Sequence, residues 1–506
     1  MTNQPAEPRP ARAGSLALGA LFDAAAGVVV TGVTLDSRRV TPGDLYVGLP
    51  GQTTHGARFA PAAVAAGAAA ILTDAAGAAL AGEAGVPVVV VDDPRAELAR
   101  VAAEIYGRPG DHLLMLGVTG TTGKTSTTYL LEAGLAAAGL VTGVIGTIGF
   151  RVAGEPLAVA RSTVTTPEAP DLQALLAVMR DRGAQGVAME VSSHALALHR
   201  VDCIAFDVAG FTNLGRDHLD FHHDMESYFA AKQRLFLDGR ARHAVVNVDD
   251  PWGRRLADAV TADGSAILHT TGATGDYRIL RQRADAGGTR VLLATPRGEH
   301  EFILGLLGDF NVKNALTAAA MLDCAGVDLA AALTGFARAQ VPGRMQRVWL
   351  GDDAPGVVVD FAHTPEAVAA ALAALPEGRV TAVLGCGGDR DVAKREPMGE
   401  AAARAAQVVV VTDDNPRSED PAAIRAAVLA GARRAARESG ATVIDGGDRR
   451  SAIRAALAQA SAGEWVAILG KGHEQGQDIA GVVTPFDDVR VAVEEWRVIG
   501  RGAEHG

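Results

Sequence analysis

The sequence predicts an α/β protein of three domains built on mostly parallel sheets. Three observations carry that prediction. Short β-branched runs alternate with Ala-rich stretches along the chain, polar loops sit where those runs stop, and 506 residues exceed one core when a domain takes about 100–200. Punctuation at Gly107-Arg-Pro-Gly110 and Val341-Pro-Gly-Arg344 divides the chain into domains at 16–108, 109–341 and 342–506. Residues 1–15, opening with a polar, Pro-rich run, read as a disordered tail.

A hydrophobic share of 48% with 21% charged residues is that of a soluble globular protein. The net charge of −12 argues against a nucleic-acid surface, which needs a basic face to displace counterions. Neither a signal peptide nor an apolar run of roughly 18 residues is present, so a cytoplasmic protein with no membrane partner is expected. Cys203, Cys324 and Cys386 are far apart and form no C-x-x-C, so neither a disulfide framework nor a cysteine zinc site is indicated.

In the first domain, strands are expected at Val28–Val33, Leu45–Leu49, Ala70–Leu72 and Val88–Val91, with a helix over Pro61–Ala66. Pro61 suits the first turn, where its missing N–H costs nothing. Asp36-Ser-Arg-Arg39 and Gly51-Gln-Thr-Thr-His-Gly56 are, by themselves, ordinary polar turns.

The second domain opens on Leu113–Val118, a buried-strand pattern, followed by Thr119-Gly-Thr-Thr-Gly-Lys-Thr125 and an Ala-rich helix over Tyr129–Ala138. That order aims loop amides and the free donors of a helix N-terminus at one phosphate-sized spot. Gly120, Thr121, Thr122, Gly123, Lys124, Thr125 and Ser126 are therefore expected to hold ATP or GTP, with Lys124 on the β/γ-phosphates and the Thr125 hydroxyl on Mg²⁺. The spelling departs from G-x-x-x-x-G-K-[ST], because Val118 stands where the first glycine belongs.

Further strands at Thr142–Ile145, Gly186–Val191, Val208–Thr212 and Ala244–Val248 bring polar clusters to the sheet edge where ligands of parallel sheets collect. Glu190-Val-Ser-Ser-His194 closes one strand and Thr212-Asn-Leu-Gly-Arg-Asp-His-Leu-Asp220 the next. A carboxylate and an imidazole beside Thr125 suit Mg²⁺, although His218, His222 and His223 also allow zinc. Lys232, on an expected helix over Tyr228–Phe236, reads by itself as a snorkelling surface charge. A hairpin is expected at Val291–Thr295 and Glu301–Leu304. Gly308-Asp-Phe-Asn-Val-Lys-Asn314 opens a helix whose asparagines either cap it or read an adenine edge.

The third domain repeats the rhythm, with strands at Val357–Asp360, Val380–Leu384, Val408–Thr412, Thr442–Ile444 and Val466–Leu469. Polar loops follow them at Asp360-Phe-Ala-His-Thr-Pro365, Gly385-Cys-Gly-Gly-Asp-Arg-Asp391, Asp413-Asp-Asn-Pro-Arg417 and Gly470-Lys-Gly-His-Glu474. Gly385, Gly387 and Gly388 do not complete a dinucleotide fingerprint. Four such loops on one edge, with Arg390 and Arg417, make a pocket for a small anionic or zwitterionic ligand, because a guanidinium grips a carboxylate through two parallel hydrogen bonds.

Taken together and in this order, Thr119-Gly-Thr-Thr-Gly-Lys-Thr125, Glu190-Val-Ser-Ser-His194, Thr212 to Asp220, Pro342-Gly-Arg344, Asp360-Phe-Ala-His363 and Asp414-Asn-Pro-Arg417 resemble the Mur ligase family, most of all its diaminopimelate-adding branch. The resemblance runs from Leu35 to Glu474. It implies a small α/β UDP-binding domain, a central phosphate-loop ATPase domain and a Rossmann-like C-terminal domain. Leu35, Ser37, Gln52, Thr53 and Thr54 would hold the uridine diphosphate end of the substrate. Thr165, Thr166, Ser192 and Arg200 would contact its muramoyl-dipeptide, and Leu198 departs from the Gln of many relatives. Glu190 and His218 would hold Mg²⁺, with Lys232 carbamylated by CO₂ into a carboxylate-like ligand, so that Lys124, Lys232 and His218 form the catalytic group. Asn311, Arg344 and Asp360 would contact the nucleotide. Arg390, Asp414, Asn415, Pro416, Arg417, Gly470 and Glu474 would receive the amino acid. Asp-Asn-Pro-Arg points to meso-2,6-diaminopimelate, whose distal carboxylate Arg417 can clamp and lysine lacks.

The implied activity is an ATP-dependent ligation in peptidoglycan precursor synthesis, by a monomer acting on small molecules. The D-glutamate γ-carboxylate of UDP-N-acetylmuramoyl-L-Ala-D-Glu would become an acyl phosphate and then an amide of diaminopimelate. A lysine-adding ligase and a folylpolyglutamate-type ligase are the enzyme alternatives. A phosphate-loop switch that hydrolyses nucleotide without joining substrates is the alternative of another class.

Overall fold

The structure, a computed structural model, describes residues 10, 14–51, 53–157, 165–285 and 288–503; Gln52 and most of the 1–15 tail lie outside the described residues. The chain forms two compact units. One runs to Arg283 and adds Arg290–Ile303 and Lys313–Phe336; the other consists chiefly of the chain from Ala337 onward.

The first unit carries two principal sheets. The smaller is parallel, ordered Gly32–Thr34, Asp44–Gly48, Ala70–Thr73, Val88–Val90. The single strand expected over Val28–Val33 is two: Val29–Val30 pairs with Leu16–Ala17, and the chain then changes partner at Gly32. The larger sheet is ordered Glu155–Pro156, Gly149–Val152, Thr142–Gly146, Gly186–Glu190, Leu114–Thr119, Phe206–Phe211, Ala241–Asn247, Ile267–Thr271. All of it is parallel except the hairpin edge over residues 149–156. Met115, Leu116 and Val118 are fully buried, as a central strand covered on both faces requires.

Chain order fixes where a ligand can bind. From Leu114–Thr119 the chain goes to one side, returns as Gly186–Glu190 beside it, and crosses to Phe206–Phe211 on its other flank. The loops leaving these three strands therefore emerge together where the strand order reverses. The helix after the first of them is Lys124–Ala137, beginning before the Tyr129 that its apolar pattern suggests. Its first turn is a Lys/Thr/Ser run with no apolar periodicity to reveal it. The expected hairpin belongs to a three-stranded sheet whose first strand, Arg278–Asp285, is too polar to show alternation.

The second unit holds a six-stranded sheet ordered Gln346–Val348, Gly356–Asp360, Trp465–Leu469, Val380–Leu384, Val408–Thr412, Thr442–Gly447, parallel but for the first strand. Alternate residues face opposite layers. Ala382, Leu384, Val409 and Val411 pack with Met398 and Val428 of helices Arg395–Ala405 and Pro421–Ser439. Val383, Val408 and Val410 pack with Ile453 and Val491 of helices Arg449–Gln459 and Asp488–Ala503. Helices 395–405 and 421–439 touch backbone to backbone: a Cβ on Gly431 would fall 2.0 Å from the Glu396 carbonyl oxygen. Among the described residues no helix is long and apolar enough to cross a membrane.

Candidate functional site

The loop Gly120–Gly123 is shaped by two glycines that no other residue replaces. Gly120 has φ 147° and a Cβ there would lie 1.9 Å from Thr212 Oγ1; Gly123 has φ 88° and its Cβ would lie 2.3 Å from Asn314 Oδ1. The neighbouring loop locks this one in place. Asn213 Oδ1 accepts from the Thr122 amide at 3.0 Å, Thr212 Oγ1 donates to the Thr122 carbonyl at 2.6 Å, and Thr121 Oγ1 accepts from the Gly215 amide at 2.9 Å. Thr125 and Ser126 are buried in the first helical turn. This cradle fits a polyphosphate: the side chains of Thr212 and Asn314 take the space a Cβ would need at Gly120 and Gly123, and the helix N-terminus faces the loop.

Two lysines converge on one oxygen. Lys124 Nζ donates to the Gly120 carbonyl at 2.8 Å and to that of Thr121 at 3.1 Å, and Lys232 Nζ donates to the same Gly120 oxygen at 2.9 Å. Lys232 is 1% exposed, so the snorkelling reading fails. Burial, then the cationic Lys124, holds its amine well below the usual lysine range. Its Nζ stands over the Tyr228 ring at 4.7 Å, and Tyr228 Oη lies 3.1 Å from Thr121 Oγ1. As an amine donating to a carbonyl, Lys232 cannot ligate a cation; a carbamate on the same nitrogen could.

His218 sits at φ 53° ahead of the short helix Leu219–His222, its ring 6.1 Å from Tyr228 and 4.9 Å from His194. Burial, with Lys124 and Lys232, keeps it below the usual histidine range against the pull of Asp217. That favours the neutral imidazole, which can offer a lone pair. His222 faces the other way in function: its Nε2 lies 2.9 Å from Ser193 Oγ and it is held at about 4 by burial, then His194 and His218.

Glu190, almost wholly buried, ends its strand opposite Val118. Its carboxylate accepts from the Thr147 amide at 2.9 Å and from Thr147 Oγ1 at 3.0 Å, leaving lone pairs on both oxygens for a cation. Thr147 Oγ1 also lies 3.2 Å from Thr165 Oγ1, whose proton it can accept. From there the network continues: Thr166 Oγ1 donates to the Glu190 carbonyl at 2.8 Å and accepts from the Ser192 amide at 3.0 Å, and Arg200 donates to the Thr166 carbonyl at 3.0 Å. Arg200 also donates to Glu168 Oε1 at 2.7 Å, while Arg95, from helix Pro94–Ile105, donates to Glu168 Oε2 at 3.0 Å. Thr165, Thr166, Ser192 and Arg200 are thus one connected cluster next to Glu190. Leu198 ends the helix Ser193–Ala197 between Ser192 and Arg200.

Leu35 and Ser37 are partly buried and Thr53 and Thr54 exposed. The loop bearing the threonines is closed by a hydrogen bond from the Gly51 amide to the Thr54 carbonyl at 3.1 Å, and Tyr46 Oη donates to Gly56 O at 2.7 Å. Burial, then the Asp36 charge, pushes the Tyr46 phenol up to about 12.

Within the second unit, Asp360 accepts from the Met345 amide at 2.7 Å and the Ala362 amide at 2.8 Å, while burial raises its carboxyl. Arg344 lies over the Phe361 ring at 4.5 Å. Asn311 is fully buried and donates to the Leu307 carbonyl at 2.8 Å. The loop Asp414–Arg417 is braced from several sides. Asn415 donates to Glu474 at 2.7 Å and accepts from the fully buried Lys471 at 3.1 Å and from the Asp478 amide at 3.0 Å. Burial raises Asp414; a Cβ on Gly470 would lie 2.7 Å from its Oδ2. Burial opposes ionisation of Glu474, yet Lys471 and Asn415 hold it below the usual range. Arg417, at φ 51°, donates to the Gly388 carbonyl at 2.5 Å and pairs with Ile479, whereas Arg390 is exposed in its loop. Thr147, Glu168, Asn213, Tyr228 and Lys471 are the contributors that sequence reasoning missed. Lys471 and Asn213 lay inside the motifs above and Tyr228 one turn before Lys232 on the expected helix, whereas the partners of Thr147 and Glu168 are remote in sequence.

Comparison with known proteins covers the whole of this architecture. Residues 29–106 match the Mur ligase family catalytic domain, residues 118–322 the Mur ligase middle domain and residues 343–472 the Mur ligase glutamate ligase domain. A UDP-N-acetylmuramoyl-L-alanyl-D-glutamate–2,6-diaminopimelate ligase of Streptomyces coelicolor is 50% identical over 97% of this chain and 98% of its own length. The enzyme of that name from Corynebacterium glutamicum is 48% identical over 92% of each chain. A solved structure of a ligase so named superposes with a TM-score of 0.69 at 33% identity, over 94% of this chain and 96% of that one. The Mycobacterium tuberculosis folylpolyglutamate synthase complexed with ADP shares the fold, with a TM-score of 0.62 at 21% identity over 81% of this chain and 95% of its own.

Proposed function

This chain belongs to the Mur ligase family, and on that premise we propose that it joins meso-2,6-diaminopimelate to the D-glutamate γ-carboxylate of UDP-N-acetylmuramoyl-L-Ala-D-Glu at the expense of ATP. One observation carries the reading. The phosphate cradle at Gly120–Ser126 and the Glu190 carboxylate leave adjacent strands at the point of order reversal, and hydrogen bonds join the Thr165–Thr166–Ser192–Arg200 cluster to the second strand's end, so a phosphoryl donor and a carboxylate acceptor would lie side by side.

A carboxylate is a poor electrophile. Transfer of a phosphoryl group to the γ-carboxylate converts its oxygen into a leaving group, with Lys124 and the loop amides stabilising the transferred charge. The amine then attacks the acyl carbon, the C–N bond forms, the C–O bond to phosphate breaks, and the amine proton passes to solvent. Thr125, Glu190, His218 and a carboxylated Lys232 would hold Mg²⁺, which when bound neutralises phosphate charge. Lys232 becomes such a ligand when its neutral amine adds to CO₂, forming an N–C bond and losing a proton. Burial beside the cationic Lys124 favours that conversion, because it keeps the Lys232 amine nucleophilic and would set the carbamate's negative charge next to a cation.

In this reading residues 16–108, 109–341 and 342–506 serve as UDP-binding, ATPase and amino-acid domains of a cytoplasmic monomer. The loop around Asn415 and Arg417 takes the amino acid, Arg417 facing its distal carboxylate, and Asn311, Arg344 and Asp360 serve the nucleotide. The test is phosphate release from ATP with the UDP-muramoyl-dipeptide and meso-diaminopimelate, L-lysine or no amino acid. Turnover confined to diaminopimelate supports the proposal. Preference for lysine overturns the assignment of Arg417, and turnover indifferent to the amino acid overturns the ligase.

A further inference from the structure

Two histidines and a cysteine from three separate elements meet on one face of the eight-stranded sheet. His243 lies on Ala241–Asn247 and His269 on the edge strand Ile267–Thr271, with His243 opposite Ile267 and Val245 opposite His269. Residues two apart in a strand share a face, so the two imidazoles stand diagonally on the same side. Helix Asp309–Cys324 covers that side. Gly210, opposite Val245 on the next strand in, makes room for Met321, whose sulfur would lie 2.5 Å from a Cβ at that position. Cys324, at the end of the same helix, completes the group. His243 Nδ1 lies 3.0 Å from His269 Nε2, and one ligand atom from each of the three residues lies within 4.8 Å of the others.

We propose that His243, His269 and Cys324 bind one divalent transition-metal ion of the zinc class. Imidazole nitrogen with thiolate sulfur is the donor set that zinc selects over Mg²⁺. Bond lengths of about 2.0–2.1 Å to nitrogen and about 2.3 Å to sulfur put tetrahedral ligand atoms roughly 3.3–3.7 Å apart, a little wider than the 3.0 Å between the two imidazole nitrogens and inside the 4.8 Å that bounds the trio. A hydrogen bond between the imidazoles explains their own contact but gives no reason for the thiol. Tyr277 fixes that thiol: its hydroxyl donates to Asp323 at 2.7 Å and lies 3.7 Å from Cys324 Sγ. Asp276 and Asp323 add negative charge around His269. On binding, the thiol proton passes to solvent, the proton between the imidazoles moves to the outer nitrogen of its ring, and water takes the fourth position. The cysteines gave no zinc pattern in sequence because the other ligands come from neighbouring strands.

The site is tested on the full chain, stripped of metal with a chelator and titrated with Co²⁺ in excess Mg²⁺. The expected result is one equivalent of Co²⁺ with a near-ultraviolet thiolate-to-metal absorption band, bleached by one equivalent of Zn²⁺. Cys324→Ser removes the band and Cys203→Ser keeps it; His269→Gln and His243→Gln each weaken Zn²⁺ binding at least tenfold, with circular dichroism confirming the fold. Absence of the band from the native chain, or its survival in Cys324→Ser, overturns the proposal. Should Cys324→Ser fail to fold, undiminished Zn²⁺ affinity in the histidine variants overturns it equally.

Discussion

Lys232 Nζ and Lys124 Nζ donate to the same carbonyl oxygen, that of Gly120, at 2.9 and 2.8 Å. One lysine comes from the phosphate loop and the other from the helix Met225–Gln233, so the contact ties the loop to a distant part of the chain.

Replacing Lys232 by Ala is expected to lower ligase turnover roughly 10²- to 10³-fold, the order of losing one preorganised electrostatic contact in a buried site. Bicarbonate has no nitrogen left to modify, so rescue by a short carboxylic acid, and not by bicarbonate alone, is the signature of a carbamate. Full activity in the variant would return Lys232 to a packing role.

Glu168 is held between Arg95 and Arg200. Glu168→Gln should raise KM for the UDP-muramoyl-dipeptide roughly tenfold with kcat changed by less than about threefold, because it loosens a positioning contact and leaves the reacting atoms alone. Steady-state kinetics decide it, and a fall in kcat at constant KM contradicts the positioning role.

Arg417→Ala removes a guanidinium that the Gly388 carbonyl of the neighbouring loop holds in place. A lost charge-assisted hydrogen bond of about 1.5–3 kcal/mol predicts that discrimination between diaminopimelate and lysine falls at least tenfold. Competition between the two amino acids measures it.

Gly123 and Gly183 both have positive φ, at 88° and 84°, but only Gly123 would collide on gaining a Cβ, with Asn314. Alanine at Gly183 should cost about 1 kcal/mol of stability and leave ADP binding intact. Alanine at Gly123 should abolish ADP binding as well. Denaturant unfolding and calorimetric ADP titration of the two variants separate backbone strain from loss of the cradle.

Arg449 and Asp488 form a doubly hydrogen-bonded pair at 2.7 Å with neither side chain exposed. Asp488→Asn leaves a buried guanidinium without its counter-charge and should destabilise the second unit by about 3–5 kcal/mol. An apolar replacement of both residues should cost less, because it removes the unpaired charge; urea unfolding of the single and double variants checks the order.

The phosphate loop, the buried strands and the three-part α/β rhythm were legible in the sequence because each rests on local chemistry: glycine where φ is positive, β-branched runs where both faces are covered, a polar turn at each strand end. Lys232 was illegible by the same logic. Its neighbours in sequence describe a surface helix, and nothing local says that its amine is driven into the core to meet Gly120. Glu168 and the His243–His269–Cys324 group share that character, since their partners are separated by whole elements. Sequence alone determined which segments become strands, loops and helices and which loop can hold phosphate. Tertiary structure decided which charges are desolvated and which side chains share a face, because both depend on strand order and register, and those are set by packing between distant segments.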